Sequence, residues 1–301
     1  MKVKQAIKEY LVEAEIKRFT SKTVRSYRYK LFQFESFLED EGIKDLDDIT
    51  NSTLKLYLQW LTRRGLKGTT VNNYMKIVKL FLQFCYEEEF SDFNPKRSTV
   101  KMVKEEKPLV RAFTVQDVRM LLQNCKGLDY LSVRDRLIIT ILADTGLRAT
   151  ELCELKQTDI HDGYIIVKGK GQKTRSVPVT PMMKQAMMRY DRVKLDYFTR
   201  TGAKTEDYYI LSKNGKILGS TDLARMLKRR GKEITGVRVS SHTMRHFFAQ
   251  QSIKNGVSLY SVSRLLGHEN VGITQIYLDS LQDADIVKMN SSNSVLMNMS
   301  L

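Results

Sequence analysis

Over the first ~90 residues the apolar side chains keep to the helical period and never to the alternation of a strand. That commits the N-terminal third of the chain to an all-helical body. Ile7, Leu11 and Ala14 mark a first helix, and Val24, Tyr27, Leu31, Phe34 and Leu38 mark a second that stops near Gly42. A third, capped at Asn51 or Ser52, runs through Leu54, Leu58 and Leu61. A fourth runs from Thr70 through Tyr74, Ile77, Leu80, Phe81 and Phe84 to the acidic Glu87–Glu89. The pattern predicts a small helical bundle over residues 1–92, with Phe32, Phe34, Phe37 and Trp60 in its core rather than on a base-stacking surface.

The periodicity fails from Phe90 to about Ala112, where Pro95 and Pro108 fall among a dense run of charges. Residues 93–112 therefore read as a linker, whose Lys96, Arg97, Lys101 and Lys104 suit either a nucleic-acid backbone or solvent. Thr114 with Asp117 forms a helix N-cap pair and opens a second domain, 113–301. There, residues 137–146 read as a buried helix ending at Gly146, followed by a short helix over 148–156. The one clear β pattern is GYIIVKGKGQKTRSVPV, a hairpin of Tyr164–Val167 and Ser176–Val179 around a Gly/Lys-rich turn. Tyr208–Leu211 reads as a short strand. Helices follow over Leu223–Arg230, His242–Lys254 with Gly256 as its stop, Leu259–Leu266 and Ile273–Leu278, and the Met/Ser/Asn-rich tail 289–301 reads as lying outside the core. The fold class is thus mainly α with a small β hairpin.

Composition narrows the partners. The 301 residues carry 50 basic and 34 acidic side chains, a net charge of +16. Residues 1–100 hold 18 basic and 14 acidic groups (+4), and residues 101–301 hold 32 and 20 (+12), so the excess sits in the linker and second half. A soluble chain this basic is suited to nucleic acid, whose condensed counterions its cations displace. No run approaches the ~18 apolar residues of a membrane span. The N-terminus lacks the pattern of a signal peptide, so a cytoplasmic location is expected. Cys85, Cys125 and Cys153 are odd in number and without CxxC spacing, which argues against a disulfide or zinc framework.

Six polar residues stand out in the second half: Arg148, Lys170, His242, Arg245, His268 and Tyr277. Together they hold what phosphodiester cleavage needs without a metal or cofactor. Two guanidiniums can neutralise the nonbridging oxygens, a phenol can attack phosphorus, and a lysine and imidazoles can move protons. His242 and His246 are spaced i, i+4, but Thr243 stands where a zinc protease needs glutamate, so the pair does not read as a metal site.

The segments TGLRATEL (145–152), GKGQKTRSVPV (169–179), HTMRH (242–246), LLGH (265–268) and Tyr277 resemble, in order and spacing, the boxes of the tyrosine recombinase (phage integrase) family. In length and layout the chain is most similar to Xer-type and mobile-element members. The resemblance covers essentially the whole chain and implies an N-terminal SAM-like core-binding domain before a mixed α/β catalytic domain. It implies Tyr277 as nucleophile, Arg148 and Arg245 as phosphate ligands, Lys170 as the acid for the leaving 5′ oxygen, His242 as acid/base and His268 as a hydrogen-bond donor to a nonbridging oxygen. Glu151 resembles the acidic residue that orients the first arginine. Lys168, Lys173 and Arg175 are read as DNA-backbone contacts or solvated charges, and His246 as a packed core histidine.

The implied activity is site-specific recombination of double-stranded DNA through a covalent 3′-phosphotyrosyl link, serving integration, excision or resolution. The implied assembly is a dimer on each site and a tetramer in the synapse, with accessory proteins as further partners. Leu296, Met297 and Met299 are candidates for a peptide that docks on a neighbouring protomer. Two other readings share these residues: a type IB topoisomerase, and a non-catalytic DNA-binding accessory protein.

Overall fold

Hydroxyl and carboxylate caps set most helix starts in this computed structural model, which describes residues 1–105, 113–169 and 173–268, with 270, 272, 274 and 275. The chain forms two compact units, Met1–Leu109 and Val110–Leu301.

The first unit is built from α1 (Val3–Ile16), α2 (Ser21–Asp40), α3 (Asn51–Arg63) and α4 (Gly68–Glu87). The cap of α3 is Thr50, one residue before the predicted Asn51 or Ser52. Its hydroxyl accepts the Thr53 N–H at 3.4 Å while the Thr53 hydroxyl accepts the Thr50 N–H at 3.1 Å, a reciprocal pair that neither later residue supplies. Phe34, Phe37 and Tyr57 interlock at the centre, with Tyr57 4.8 and 5.1 Å from the two phenylalanine rings. Burying each such ring contributes about 1.5–3 kcal/mol. Phe32 departs from the expectation: one position past buried Leu31, it turns off the inner face and is 49% exposed. Trp60 packs at the margin, half-buried, with the Arg64 guanidinium 4.4 Å over its ring.

The stretch read as a linker is docked on this unit as far as Glu105. Asn72 pairs with both backbone groups of Val103, donating at 3.0 Å and accepting at 2.9 Å. Lys79 donates to the Val100 carbonyl, Ser98 donates to Asn51, and the Val100 side chain is buried in the core. The charges that break the periodicity thus sit on a segment whose backbone at Val100 and Val103 is bonded by side chains of α4.

In the second unit, α5 (Val115–Gln123) opens on the Thr114–Asp117 capping box. Helix α6 (Tyr130–Thr145) is buried nearly all round because it runs through the core. After α7 (Ala149–Cys153) come three antiparallel strands in the order β1 (Ile160–His161), β2 (Tyr164–Lys168) and β3 (Thr174–Pro178). The register pairs Ile165 with Val177 and Val167 with Arg175, which sends Ile165, Val167 and Val177 to the core. The two-residue β1 is too short to carry a sequence signal.

Helix α8 (Pro181–Thr201) follows, then α9 (Ser220–Arg230), α10 (Ser241–Lys254) and α11 (Leu259–Leu266). Tyr208–Leu211 does not join a ladder; Leu211 makes only an isolated bridge to Ile217. Tyrosine hydroxyls serve its backbone instead. Tyr190 donates to the Tyr209 carbonyl and accepts the Leu211 N–H, and Tyr130 donates to the Leu211 carbonyl. The fully buried Asp135 ties α6 to α9 by accepting from Arg134, Arg229 and Arg230. Among the described residues no helix is long and apolar enough to cross a membrane. The predicted helix Ile273–Leu278 lies mostly outside the described residues, and the tail 289–301, with Leu296, Met297 and Met299, lies wholly outside them.

Candidate active site

The site begins where α6 stops. Thr145 donates its hydroxyl to the Ile141 carbonyl at 2.5 Å and accepts the Leu147 N–H at 3.3 Å, so the chain turns at once. Gly146 makes the turn in the left-handed region, φ 61°, and a Cβ there would lie 2.7 Å from both Leu266 Cδ2 and Phe248 Cδ1. The reversal leaves Arg148 extended at the N-cap of α7, where Glu151 three residues on accepts its backbone N–H at 2.8 Å and its guanidinium at 2.7 Å.

Arg245 reaches the same place from α10. It is 5% exposed and donates to the Gly146 carbonyl at 2.8 Å and to the Leu266 carbonyl at 2.6 Å. Arg148 donates to the Leu266 carbonyl at 3.4 Å and to the Gly267 carbonyl at 3.3 Å. The C-terminal end of α11, with its orphan carbonyls and partial negative charge, therefore gathers the two arginines. Gly267, φ 67°, ends that helix and turns the chain to His268.

His268 is half-buried, with Nδ1 2.8 Å from the hydroxyl of the buried Thr274. Burial, then the charges of Arg245, Arg148 and Arg175, push its pKa down to about 4. The ring is therefore neutral at neutral pH, with one N–H to donate.

His242 and His246 face each other one turn apart on α10, Nε2 to Nε2 at 2.8 Å. His246, read as a packed core histidine, is half-buried rather than fully buried, and its ring meets that of the exposed His242 edge-on. Burial, then His242 and Arg245, lower its pKa to about 4.

Arg175 also departs from expectation. Read as an outward charge, its side chain is only 12% exposed and grips Glu151 with both guanidinium arms, at 3.0 and 2.8 Å. Its Nε donates to the Leu265 carbonyl at 2.7 Å. The reason is register: opposite the buried Val167, position 175 faces α7 and α11. Burial alone would raise the Glu151 carboxyl. The fork of Arg175, the Arg148 N–H and the Arg148 guanidinium hold it down at about 2.

Two guanidiniums held by backbone carbonyls, a neutral imidazole and a pair of facing imidazoles could together receive an anion. The phage integrase family profile matches residues 111–283, and the profile of the phage integrase N-terminal SAM-like domain matches residues 7–89. The tyrosine recombinase XerD of Halalkalibacterium halodurans is 30% identical over 283 residues, covering 91% of this chain and 93% of that protein. Tyrosine recombinase XerC of Staphylococcus carnosus is 31% identical over 274 residues, covering 89% of this chain and 90% of that protein. The chain belongs to the phage integrase family. It is a site-specific recombinase of the tyrosine type. In fold it is similar to a lambda integrase dimer bound to a COC′ core site, with a TM-score of 0.76 at 20% identity over 94% of this chain and 97% of that one.

In this recombinase, Arg148, His242, Arg245 and His268 are brought to one end of α7, α10 and α11, with Glu151 behind Arg148. Lys170 and Tyr277 lie outside the described residues. Lys168 is exposed and paired with Asp159 at 3.0 Å, and Lys173 is exposed. Sequence reasoning missed Thr274 and the inward turn of Arg175. A hydroxyl six residues after a histidine carries no signal, whereas strand alternation from Val177 marked position 175 as inward-facing.

Proposed function

We propose that this recombinase cuts and rejoins double-stranded DNA at a specific site through a covalent 3′-phosphotyrosyl intermediate. Tyr277 attacks the scissile phosphorus, its phenolic proton passing to His242. The new O–P bond forms as the bond to the 5′ oxygen breaks, and Lys170 gives that oxygen its proton. Arg148 and Arg245 neutralise the nonbridging oxygens, and His268 donates a hydrogen bond to one of them. The bond energy stays in the tyrosyl ester, so a second 5′ hydroxyl can reverse the step without ATP. The observation that carries this reading is the convergence of Arg148 and Arg245 on the Leu266 carbonyl, next to His268.

The protein acts as a dimer on each site and a tetramer in the synapse, in the cytoplasm, with accessory proteins directing integration, excision or resolution. The first support for a DNA partner is the charge of +12 on residues 101–301 (32 basic less 20 acidic). The second is the DNA-bound state of the lambda integrase dimer that the fold resembles. The test is covalent capture. Wild type and Tyr277→Phe are incubated with fragmented host DNA in EDTA and denatured, and the protein-linked DNA is sequenced. Discrete adducts that require Tyr277 are expected; binding without adducts would refute the chemistry.

A further inference from the structure

Glu151 poses an electrostatic problem for this site. It is 6% exposed, and its Oε1 takes the Arg148 guanidinium at 2.7 Å. A carboxylate paired only with Arg148 would cancel the charge that Arg148 has to offer an incoming phosphate. Arg175 changes that balance. Its two arms occupy both carboxylate oxygens, and the three groups together keep one net positive charge. The two arginines differ in access as well: the Arg148 side chain is 42% exposed and that of Arg175 only 12%. Arg175 is therefore the inner partner that satisfies the carboxylate, and Arg148 the outer one that faces ligand.

The fork is also fixed in place. Nε of Arg175 donates to the Leu265 carbonyl at 2.7 Å. Its guanidinium passes so close to Gly267 that a Cβ there would meet it at 3.0–3.2 Å. Through Arg175, strand β3 is bonded to α7 and to the end of α11, the two elements that hold Arg148 and His268. A lysine could reach Glu151 but could not make the planar two-armed contact and the Leu265 bond together.

Resting on the recombinase reading above, we propose that Arg175 is a positioning residue. It neutralises Glu151 so that Arg148 stays both aimed and electrostatically free for the scissile phosphate. It acts through Arg148 and touches no DNA. The consequence is specific to the charge on the phosphate. Replacing one nonbridging oxygen by methyl removes the negative charge that Arg148 answers, and with it the need for Arg175.

The experiment uses the full-length protein and a nicked synthetic duplex of the captured site. The scissile position carries either a phosphodiester or a methylphosphonate, and covalent adduct is followed in time at saturating protein. For Arg175→Gln, phosphodiester cleavage is expected to fall about a hundredfold, the scale of an ångström's misplacement of a reacting group. Methylphosphonate cleavage should stay within about twofold of wild type, since the charge that Arg148 answers is gone. Equal losses on both substrates, or none on either, would overturn the proposal. If circular dichroism shows that Arg175→Gln does not fold, Arg175→Met, which keeps the stem and removes the charge, is read on the same two substrates with the same outcomes. If Arg175→Met also fails to fold, Arg175 is a structural residue and the proposal falls. Absence of a Tyr277-dependent adduct in wild type would instead overturn the recombinase reading, and this inference with it.

Discussion

Arg148 and Arg245, on different helices and far apart in the chain, donate to one carbonyl oxygen, that of Leu266, at 3.4 and 2.6 Å. A carbonyl in the last turn of a helix has no intrahelical partner, so it is free to accept from two guanidiniums at once. This fixes the spacing of the two cations by backbone rather than by a second carboxylate, and a backbone acceptor adds no full negative charge to a site built for an anion.

Arg245→Lys tests that geometry. Arginine reaches Gly146 and Leu266 with two separate nitrogens of one planar fork, whereas a lysine ammonium offers a single nitrogen on a flexible stem. DNA binding measured by gel shift should change little, while the rate of covalent adduct formation falls about 10²–10³-fold, as for loss of an oxyanion donor. A rate within threefold of wild type would mean that charge alone suffices at this position.

Gly146 carries the approach of α6 to α10 and α11. Alanine there would hold a left-handed φ of 61° and press its Cβ against Leu266 and Phe248 at 2.7 Å. Backbone strain of about 1–3 kcal/mol adds to overpacking of about the same size. Urea denaturation of Gly146→Ala should therefore show about 2–6 kcal/mol less stability than wild type. A loss below 1 kcal/mol would show that the helices separate at little cost.

What the sequence discloses here follows from local chemistry. Thr145-Gly146, Ser240 before His242, and Gly267 before His268 are turn and cap signals. They deliver Arg148, His242 and His268 to helix ends whatever the rest of the fold does. The inward turn of Arg175 follows from strand alternation with the buried Val177, but in sequence Arg175 reads together with Lys168 and Lys173 as one more hairpin cation. Helix α8 escaped for a different reason: of its 21 residues only Met183, Met187, Tyr190 and Phe198 are buried, too sparse a stripe for a period to emerge. Tyr208–Leu211 has the composition of a strand, but the Tyr209 carbonyl and both backbone groups of Leu211 bond to tyrosine hydroxyls from elsewhere in the chain rather than to a neighbouring strand.

Lys170 is proposed as the acid for the departing 5′ oxygen, a role with its own signature. Lys170→Ala should slow cleavage of an ordinary phosphodiester about 10²–10⁴-fold, the usual contribution of a positioned acid. A 5′-thio leaving group needs little protonation, so cleavage of that substrate should approach the wild-type rate. An equal deficit on both substrates would assign the proton to another residue of the hairpin.

The last prediction concerns acid. His246 and His268 are each pushed down to about 4, first by burial and then by neighbouring cations and imidazoles, from the ordinary value of 6.5. Between those two pH values the unfolded chain binds more protons than the folded one, so the free energy of unfolding rises with pH across that window. Stability is fully present above 6.5 and is lost as pH falls toward 4. Glu151, held at about 2 against its ordinary 4.5, adds a separate loss below pH 4.5. Wild type should therefore lose stability progressively between pH 6.5 and 4 in urea titrations. His246→Gln with His268→Gln should flatten that stretch while keeping the steeper fall below pH 4.5 that Glu151 contributes. Parallel curves for the two proteins across the upper window would mean that the imidazoles are protonated in the folded state, and that His268 meets the phosphate as a cation rather than as a neutral donor.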